Sequence, residues 1–403
     1  MSTIFPFRAL MPSRDKAPQV ASLPYDVMSR QEARQAVEGN PLSFLRVTLA
    51  DLEFPDQVSS YDPKVYQRAA DNLRSLKEQG VLAADEEECL YLYSLVMGGR
   101  RQTGIVACVS VPEYNAGIVR RHEFTRKEKE DDRTRHILST GAQTGPVFLA
   151  YRDQAEADAL VKQVMESQPP LFDFTATDGI RHTGWRIPRE QGTALQSLFQ
   201  AKVPLLYIAD GHHRAAAAAR AAQERPDSLQ ASRTMGVIFP ASQLKILAYN
   251  RVVKDLGGLS SPEFLARLKD VGEVWEDAPA VPAAAGQVSF FLDGRWRGLS
   301  FRLRHEEDPI ASLDVSLLQE QVLAPILGIQ DPRRDPRIDF VGGIRGTGEL
   351  EERVRQGEAL AFSLYPTSLE QLMRVADAHG IMPPKSTWFE PKLRDGLFTH
   401  AIQ

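Results

Sequence analysis

The sequence predicts a mixed α/β (α+β) protein. Apolar runs of strand length recur at residues 90–97, 102–111, 146–151, 203–209 and 234–240, and helical patterns with recognisable starts and stops stand between them. With 403 residues and 43% hydrophobic content, the chain is long and apolar enough to bury a sizeable core spread over two or three domains.

Taken in order, the opening is rich in proline and turn residues until Ser29, which reads as an N-cap, with Glu32 three residues on completing a capping box. Gly39-Asn40-Pro41 stops that helix, and residues 43–49 read as a short strand. A long helical pattern follows over 63–79, with Gly80 as its stop. Residues 90–97 and 102–111 read as paired strands joined by the turn Gly98-Gly99-Arg100-Arg101. The densest charge run, 120–135, becomes helical from Lys127. On such a helix Glu128, Asp131 and Asp132 read as a solvated face, and Glu130 and Arg133 are spaced to pair with each other. A strand over 146–151 and a helix over 154–165 lead through short strands to Arg186. The apolar run 203–209 ends in Asp210-Gly211, and the alanine-rich stretch 215–223 is the strongest helix signal in the chain. Strands are expected over 234–240 and 244–253. Beyond Asp255 a fresh pattern begins: a helix, a linker at Pro279-Ala280-Val281-Pro282, strands over 288–292 and 298–303, then helices. The expected division is an N-terminal α/β region over 1–105, a phosphate-binding core over 106–254 and a C-terminal α/β region over 255–403.

Composition excludes several function classes. The net charge of -5 argues against nucleic acid as a partner, because backbone affinity depends on a basic surface that releases counterions. No apolar run reaches membrane-spanning length, and the N-terminus lacks the pattern of a secretory signal. Cys89 and Cys108 are the only cysteines and form no CxxC pair, which fits a reducing compartment. The expected location is cytoplasmic, with no membrane partner.

The informative segment is Asp210-Gly211-His212-His213-Arg214, set between a buried strand and a helix. A helix N-terminus offers unpaired backbone N–H groups and roughly half a positive charge. Gly211 allows close backbone approach, and histidine and arginine add donors that match phosphate oxygens, so the segment reads as an anion cradle. Two other readings stay open: a helix capped by Asp210 with surface imidazoles, and a metal held by Asp210, His212 and His213. Glu123, at a strand exit, could accept a proton from an attacking hydroxyl, with Thr125 and Arg126 placed to hold a phosphate or a carboxylate. No Walker spacing occurs, so a P-loop is excluded.

Asp210-Gly211-His212-His213-Arg214 resembles the signature of ParB-like folds, and most closely that of their free-serine kinases, which transfer phosphate between a nucleotide and the serine hydroxyl. His122-Glu123 matches the upstream pair whose glutamate is the catalytic base in those kinases. The whole chain resembles a bacterial family known as domain-of-unknown-function family 1015. That likeness rests on Leu23-Pro24-Tyr25-Asp26-Val27, Arg121-His122-Glu123-Phe124-Thr125-Arg126, Lys129-Glu130-Asp131-Asp132-Arg133, the Asp-Gly-His-His-Arg box and residues 383–392.

The resemblance implies a ParB/serine-kinase-like core with added N- and C-terminal regions. It implies Glu123 and His213 as catalytic residues, and Asp210, Gly211, His212, His213, Arg214, Thr125 and Arg126 as the nucleotide and phosphate site. The implied cofactor is ADP or ATP, and the implied partners are that nucleotide and a small hydroxy amino acid, serine or phosphoserine, with a homodimer as the candidate assembly. His122 and the loop Lys385-Ser386-Thr387-Trp388 are expected at the substrate, and Asp26 as a carboxylate for magnesium, either reading standing beside a purely structural one. The alternative function is a ParB-like nucleotide-binding regulatory or DNA-associated protein without kinase activity.

Overall fold

The hairpin of strands Tyr91–Met97 and Arg100–Ser110 turns where the sequence places it, with Gly98 and Gly99 supplying left-handed φ values of 56° and 78°. It lies within a nine-stranded mixed sheet. From one edge the order is Val119–Arg120, Leu206–Asp210, Val147–Tyr151, Arg233–Pro240, Arg100–Ser110, Tyr91–Met97, Arg181–Arg186 and Phe172–Thr175, with Ile4–Phe5 paired to Arg100–Ser110. The computed structural model describes residues 1–305 and 307–402. It divides into two units, one of Met1–Leu244 with Pro391–Gln403 and one of Lys245–Glu390.

In the first unit the sheet buries Leu92, Ile105, Ala107, Leu149, Leu206, Ile208 and Ile238 against the helices Ala155–Ser167 and Arg189–Lys202. Helix His212–Glu224 forms from its alanines, and their small side chains let Ala217, Ala218 and Ala221 pack beside Ile137 of helix Lys127–Thr140. A second sheet joins Leu82–Ala84, Ala9–Pro12, Thr399–Ala401 and Ala142–Gln143, so the C-terminal segment pairs directly with the N-terminal one.

The second unit carries a six-stranded sheet, antiparallel throughout, in the order Gly272–Glu276, Arg295–Phe301, Gln287–Leu292, Leu360–Leu364, Tyr249–Val253 and Ile338–Gly342. A short ladder of Lys245–Leu247 with Trp388–Glu390 closes its two ends together.

Several local expectations hold. Ser29 and Glu32 form the full capping box of helix Arg30–Val37, and the long helix runs Pro63–Glu78. Others differ. Residues 43–49, expected as a strand, contain helix Leu45–Thr48 instead. Phe44, Leu45, Val47 and Thr48 are all buried, so the run shows no apolar period that separates strand from helix. Arg46 then fixes the turn by donating to the carbonyls of Val37 and Asn40 and to Glu53. The strand expected over 244–253 breaks at Ala248 into Lys245–Leu247 and Tyr249–Val253, which join different sheets. The three-part division also differs from the two units seen. Its first boundary falls inside Arg100–Ser110, whose neighbours Tyr91–Met97 and Arg233–Pro240 come from both sides of that point in the chain.

Four buried histidines of the first unit carry a stability prediction. Burial lowers the pKa of His122, His136 and His400 to about 4 and that of His182 to about 3. The unfolded chain takes up these protons as pH falls below about 6.5, whereas the folded chain does so only near pH 4 or lower. Stability is therefore complete above about pH 6.5 and drains away towards pH 4, by on the order of 1–2 kcal/mol per histidine at pH 5. The buried acid Asp395, raised to about 7, works in the opposite sense but offsets only part of this. The midpoint of thermal unfolding is expected to drop by several degrees between pH 7.5 and pH 5. An unchanged midpoint would contradict the burial of these rings.

Candidate functional site

Two parallel strands build the site. Val119–Arg120 and Leu206–Asp210 pair with Leu206 opposite Val119 and Tyr207 opposite Arg120. Three residues beyond the last pair come Asp210 on one chain segment and Glu123 on the other, so both motifs leave the sheet at the same end. That is the end at which open α/β sheets bind ligands. The ladder between Leu206–Asp210 and Val147–Tyr151 shifts register between Ile208 and Asp210, a bulge that turns the chain into the corner.

At the corner, Gly211 has φ 92°, ψ 31° and no side chain caps the helix that follows. The N–H of Gly211 donates to Asp210 Oδ1 at 3.0 Å, and Asp210 Oδ2 lies 3.3 Å from the Lys392 ammonium. Burial disfavours the Asp210 charge, but Lys392 and Arg214 outweigh it and hold the carboxyl well below its ordinary range. Asp210 thus fixes the corner and brings Lys392 to it. A Cβ at position 211 would meet the Arg214 guanidinium at 3.4 Å on a backbone that alanine adopts poorly. Gly211→Ala is expected to destabilise the protein by about 1–2 kcal/mol in denaturant titrations, and equal stability would show that the corner relaxes without strain.

The two histidines after Gly211 hold the opposing segment. The N–H of His122 donates to His212 Nε2 at 3.4 Å, and the two rings meet edge to face at 4.5 Å. With Nε2 accepting, the His212 proton sits on Nδ1, which faces Glu123 Oε2 at 3.7 Å. Burial, reinforced by His122, holds the His212 pKa well below the ordinary value, so its ring is neutral at neutral pH. His212 is 5% exposed, and the arrangement makes it a bracket for Glu123 rather than a cationic phosphate ligand. His213 accepts from the N–H of Arg126 at 3.1 Å, and Thr125 donates its hydroxyl to Glu130. The side chain of Glu123 is half exposed at the rim.

Arg214 is a buried cation of the site, 8% exposed. Its Nη1 donates to the carbonyl of Pro146 at 2.6 Å, while Nη2 is 3.7 Å from Asp26 and 3.9 Å from Asp210. Among the described residues, its Nε and Nη2 and the buried Nδ1 of His122 find no hydrogen-bond partner. Asp26 therefore faces a guanidinium, and among the described residues no group of three or more His, Cys, Asp or Glu stands together as a metal site. The metal reading of Asp210, His212 and His213 fails on the same ground: their polar atoms are turned to Lys392, Glu123 and Arg126.

The charged helix is less solvated than its composition implies. Asp132 is 5% exposed, accepting from Tyr66 at 2.9 Å and from Arg133 at 2.9 Å. Arg220 binds Asp131 and Glu130, so Glu130 and Arg133 are not each other's partners. Arg133 stacks 4.2 Å over the ring of Tyr25.

Lys385, Ser386, Thr387 and Trp388 belong to the second unit. Lys385 has φ 57°, with its ammonium 5.1 Å over the ring of Tyr249 and its carbonyl accepting from Arg251. Ser386 donates to the carbonyl of Pro383, and Trp388 to Glu390. These contacts support the loop from within its own unit. The sequence reaches Lys392 only as the end of the family segment 383–392, with no role at the corner, and sequence reasoning passes over Asp395. Their signal is three charges, Lys392, Arg394 and Asp395, all buried in the otherwise apolar stretch around Leu393 and Leu397.

The sequence profile of the family described as "Protein of unknown function (DUF1015)" matches residues 4–316. The chain belongs to that family. No curated protein matches this DUF1015 chain. Among solved structures it is similar to free serine kinase in complex with AMP, at 13% identity and a TM-score of 0.35, over 70% of this chain and 86% of that one. A mutant of free serine kinase in complex with ADP gives 15% and 0.35, over 70% and 87%. SbnI with a C-terminal truncation, from Staphylococcus aureus, gives 10% and 0.39, over 72% and 85%.

Proposed function

We propose that this DUF1015 protein is a nucleotide-dependent small-molecule phosphotransferase with a ParB-like core. In this reading it moves phosphate between ADP or ATP and the hydroxyl of a small hydroxy amino acid, with serine and phosphoserine as the first candidates. The observation that carries the reading is the parallel strand pair that delivers a glycine-to-helix corner and a carboxylate to one sheet end. The uncapped start of helix His212–Glu224, with Arg214 and Lys392 beside it, has the donor set that phosphate oxygens need. Nε and Nη2 of Arg214, without hydrogen bonds among the described residues although Nη2 faces Asp26 and Asp210, fit a ligand that arrives with acceptors. The resemblance of the two motifs to those of ParB-like serine kinases supports the same roles.

Each residue then has a distinct task. Glu123, held by His212, takes the proton from the attacking hydroxyl, which is the main bond-making help phosphoryl transfer needs from a protein. The corner N–H groups, Arg214 and Lys392 gather the negative charge that spreads over the transferred group. His213 and Arg126 keep the Glu123 segment in register with the helix. Magnesium at Asp26 fits poorly, since that carboxylate is turned to Arg214.

The test is phosphate exchange by the purified protein, with phosphoserine plus ADP in one direction and serine plus ATP in the other. Exchange in either direction supports the enzyme. Nucleotide binding with no exchange for any small hydroxy compound would instead favour a nucleotide-binding regulatory protein.

A further inference from the structure

Behind Arg214 lies a cavity of about 30 Å³, lined in part by Tyr25, Arg133, Gly145, Arg214 and Asp395. Its wall is more apolar than polar, and the space is large enough for about two water molecules. Asp395 enters it from the C-terminal segment and is 1% exposed. Its backbone N–H and carbonyl both pair with Ser22, which fixes the residue beside the segment that carries Tyr25 and Asp26. Its Oδ1 finds no hydrogen-bond partner among the described residues, and it stands where a Cβ on Gly145 would meet it at 2.8 Å. Asp395 and Arg214, each with a buried polar atom that lacks a hydrogen bond among the described residues, thus border one small space.

We propose that Asp395 is a positioning residue of the phosphate clamp, attracting Arg214 across the cavity before nucleotide binds and yielding it to the incoming phosphate by taking up a proton. The inference rests on the nucleotide-binding reading above. The charged groups around Asp395 are Arg214 on the corner helix, Arg133 on helix Lys127–Thr140, Asp26 on the N-terminal segment and Asp210 at the strand end. Tyr25 and His136 line the same space, the latter neutral at neutral pH. Burial, opposed by Arg214, raises the Asp395 carboxyl to about 7, so it exchanges its proton at working pH. A phosphate on Arg214 adds negative charge nearby and shifts that balance towards the protonated acid. The step is a simple protonation: solvent supplies the proton, and the carboxylate oxygen receives it as the guanidinium turns its charge to the ligand.

The experiment is calorimetric titration of the full chain with ADP and with ATP at pH 7, in two buffers of different ionisation enthalpy, repeated for Asp395→Asn and Asp395→Ala. The wild type is expected to take up a substantial fraction of a proton per nucleotide, and Asp395→Asn, which keeps shape without titrating, is expected to lose that uptake. Across pH 6 to 8 the affinity of the wild type relative to Asp395→Asn should fall, by at most about tenfold per pH unit. Reading the ratio cancels ionisation of the nucleotide itself. Binding with equal proton uptake in wild type and Asp395→Asn overturns this proposal and leaves the nucleotide reading intact. Absence of binding to the wild type overturns both. If both variants fail to fold, the wild-type uptake is compared between pH 6 and pH 9, where Asp395 no longer exchanges a proton, and an uptake at pH 7 that does not exceed that expected from the ionisation of the nucleotide alone refutes the idea.

Discussion

Glu123→Ala is expected to lower phosphate exchange by about 10²–10⁴-fold, the range usual for loss of a positioned general base. Affinity for nucleotide should stay close to that of the wild type, because the Glu123 side chain is half exposed beside His212, whereas Arg214 and Lys392 are buried. The two measurements together separate a proton acceptor from a phosphate ligand. Full activity in Glu123→Ala would remove the base from the proposed mechanism, and a matching loss of affinity would reassign the residue to binding. His212→Ala provides a graded companion. It removes the neutral Nδ1–H that brackets Glu123 and should reduce exchange by a smaller factor than loss of the carboxylate itself.

Arg214→Ala carries the second large effect. Charge-assisted hydrogen bonds contribute about 1.5–3 kcal/mol each, so nucleotide affinity should weaken by roughly 10- to 150-fold in calorimetric titration. Arg214→Lys keeps a charge but not the planar fork, and should fall between the two. Part of the alanine effect reflects Asp26 and Asp210 losing a nearby cation, so thermal unfolding must be measured alongside. A folded Arg214→Ala protein that binds nucleotide as tightly as the wild type would place the phosphates elsewhere.

How much of this was legible in the residues depends on the range of the interactions involved. Local signals read correctly: the Ser29 capping box, the helix that begins at Pro63, and the glycine turn after Met97 are decided by neighbours within a few positions. The glycine-to-helix corner was legible for the same reason. What the sequence concealed is set by distant pairing. Nothing local distinguishes Leu45–Thr48 as helix, because three of its four residues, Leu45, Val47 and Thr48, are buried. Asp132 reads as a surface charge until Tyr66 and Arg133 close on it. The same holds for Lys392 and Asp395, whose meaning appears only when a segment from the far end of the chain returns to the corner. His212 was legible as part of a site but not in its task, since the tautomer follows from one backbone N–H of His122.

That return has a consequence for synthesis. The polypeptide leaves the first unit at Leu244, makes an excursion through an entire second folding body, and re-enters at Pro391. The inner strand Thr399–Ala401, which pairs with Ala9–Pro12 and Ala142–Gln143, leaves the ribosome only after the whole second unit has done so. During translation the corner at Gly211 must therefore wait, without its Lys392 and Asp395, for residues 391–402 to emerge. A nascent chain stalled before them carries the motifs but not the finished cradle.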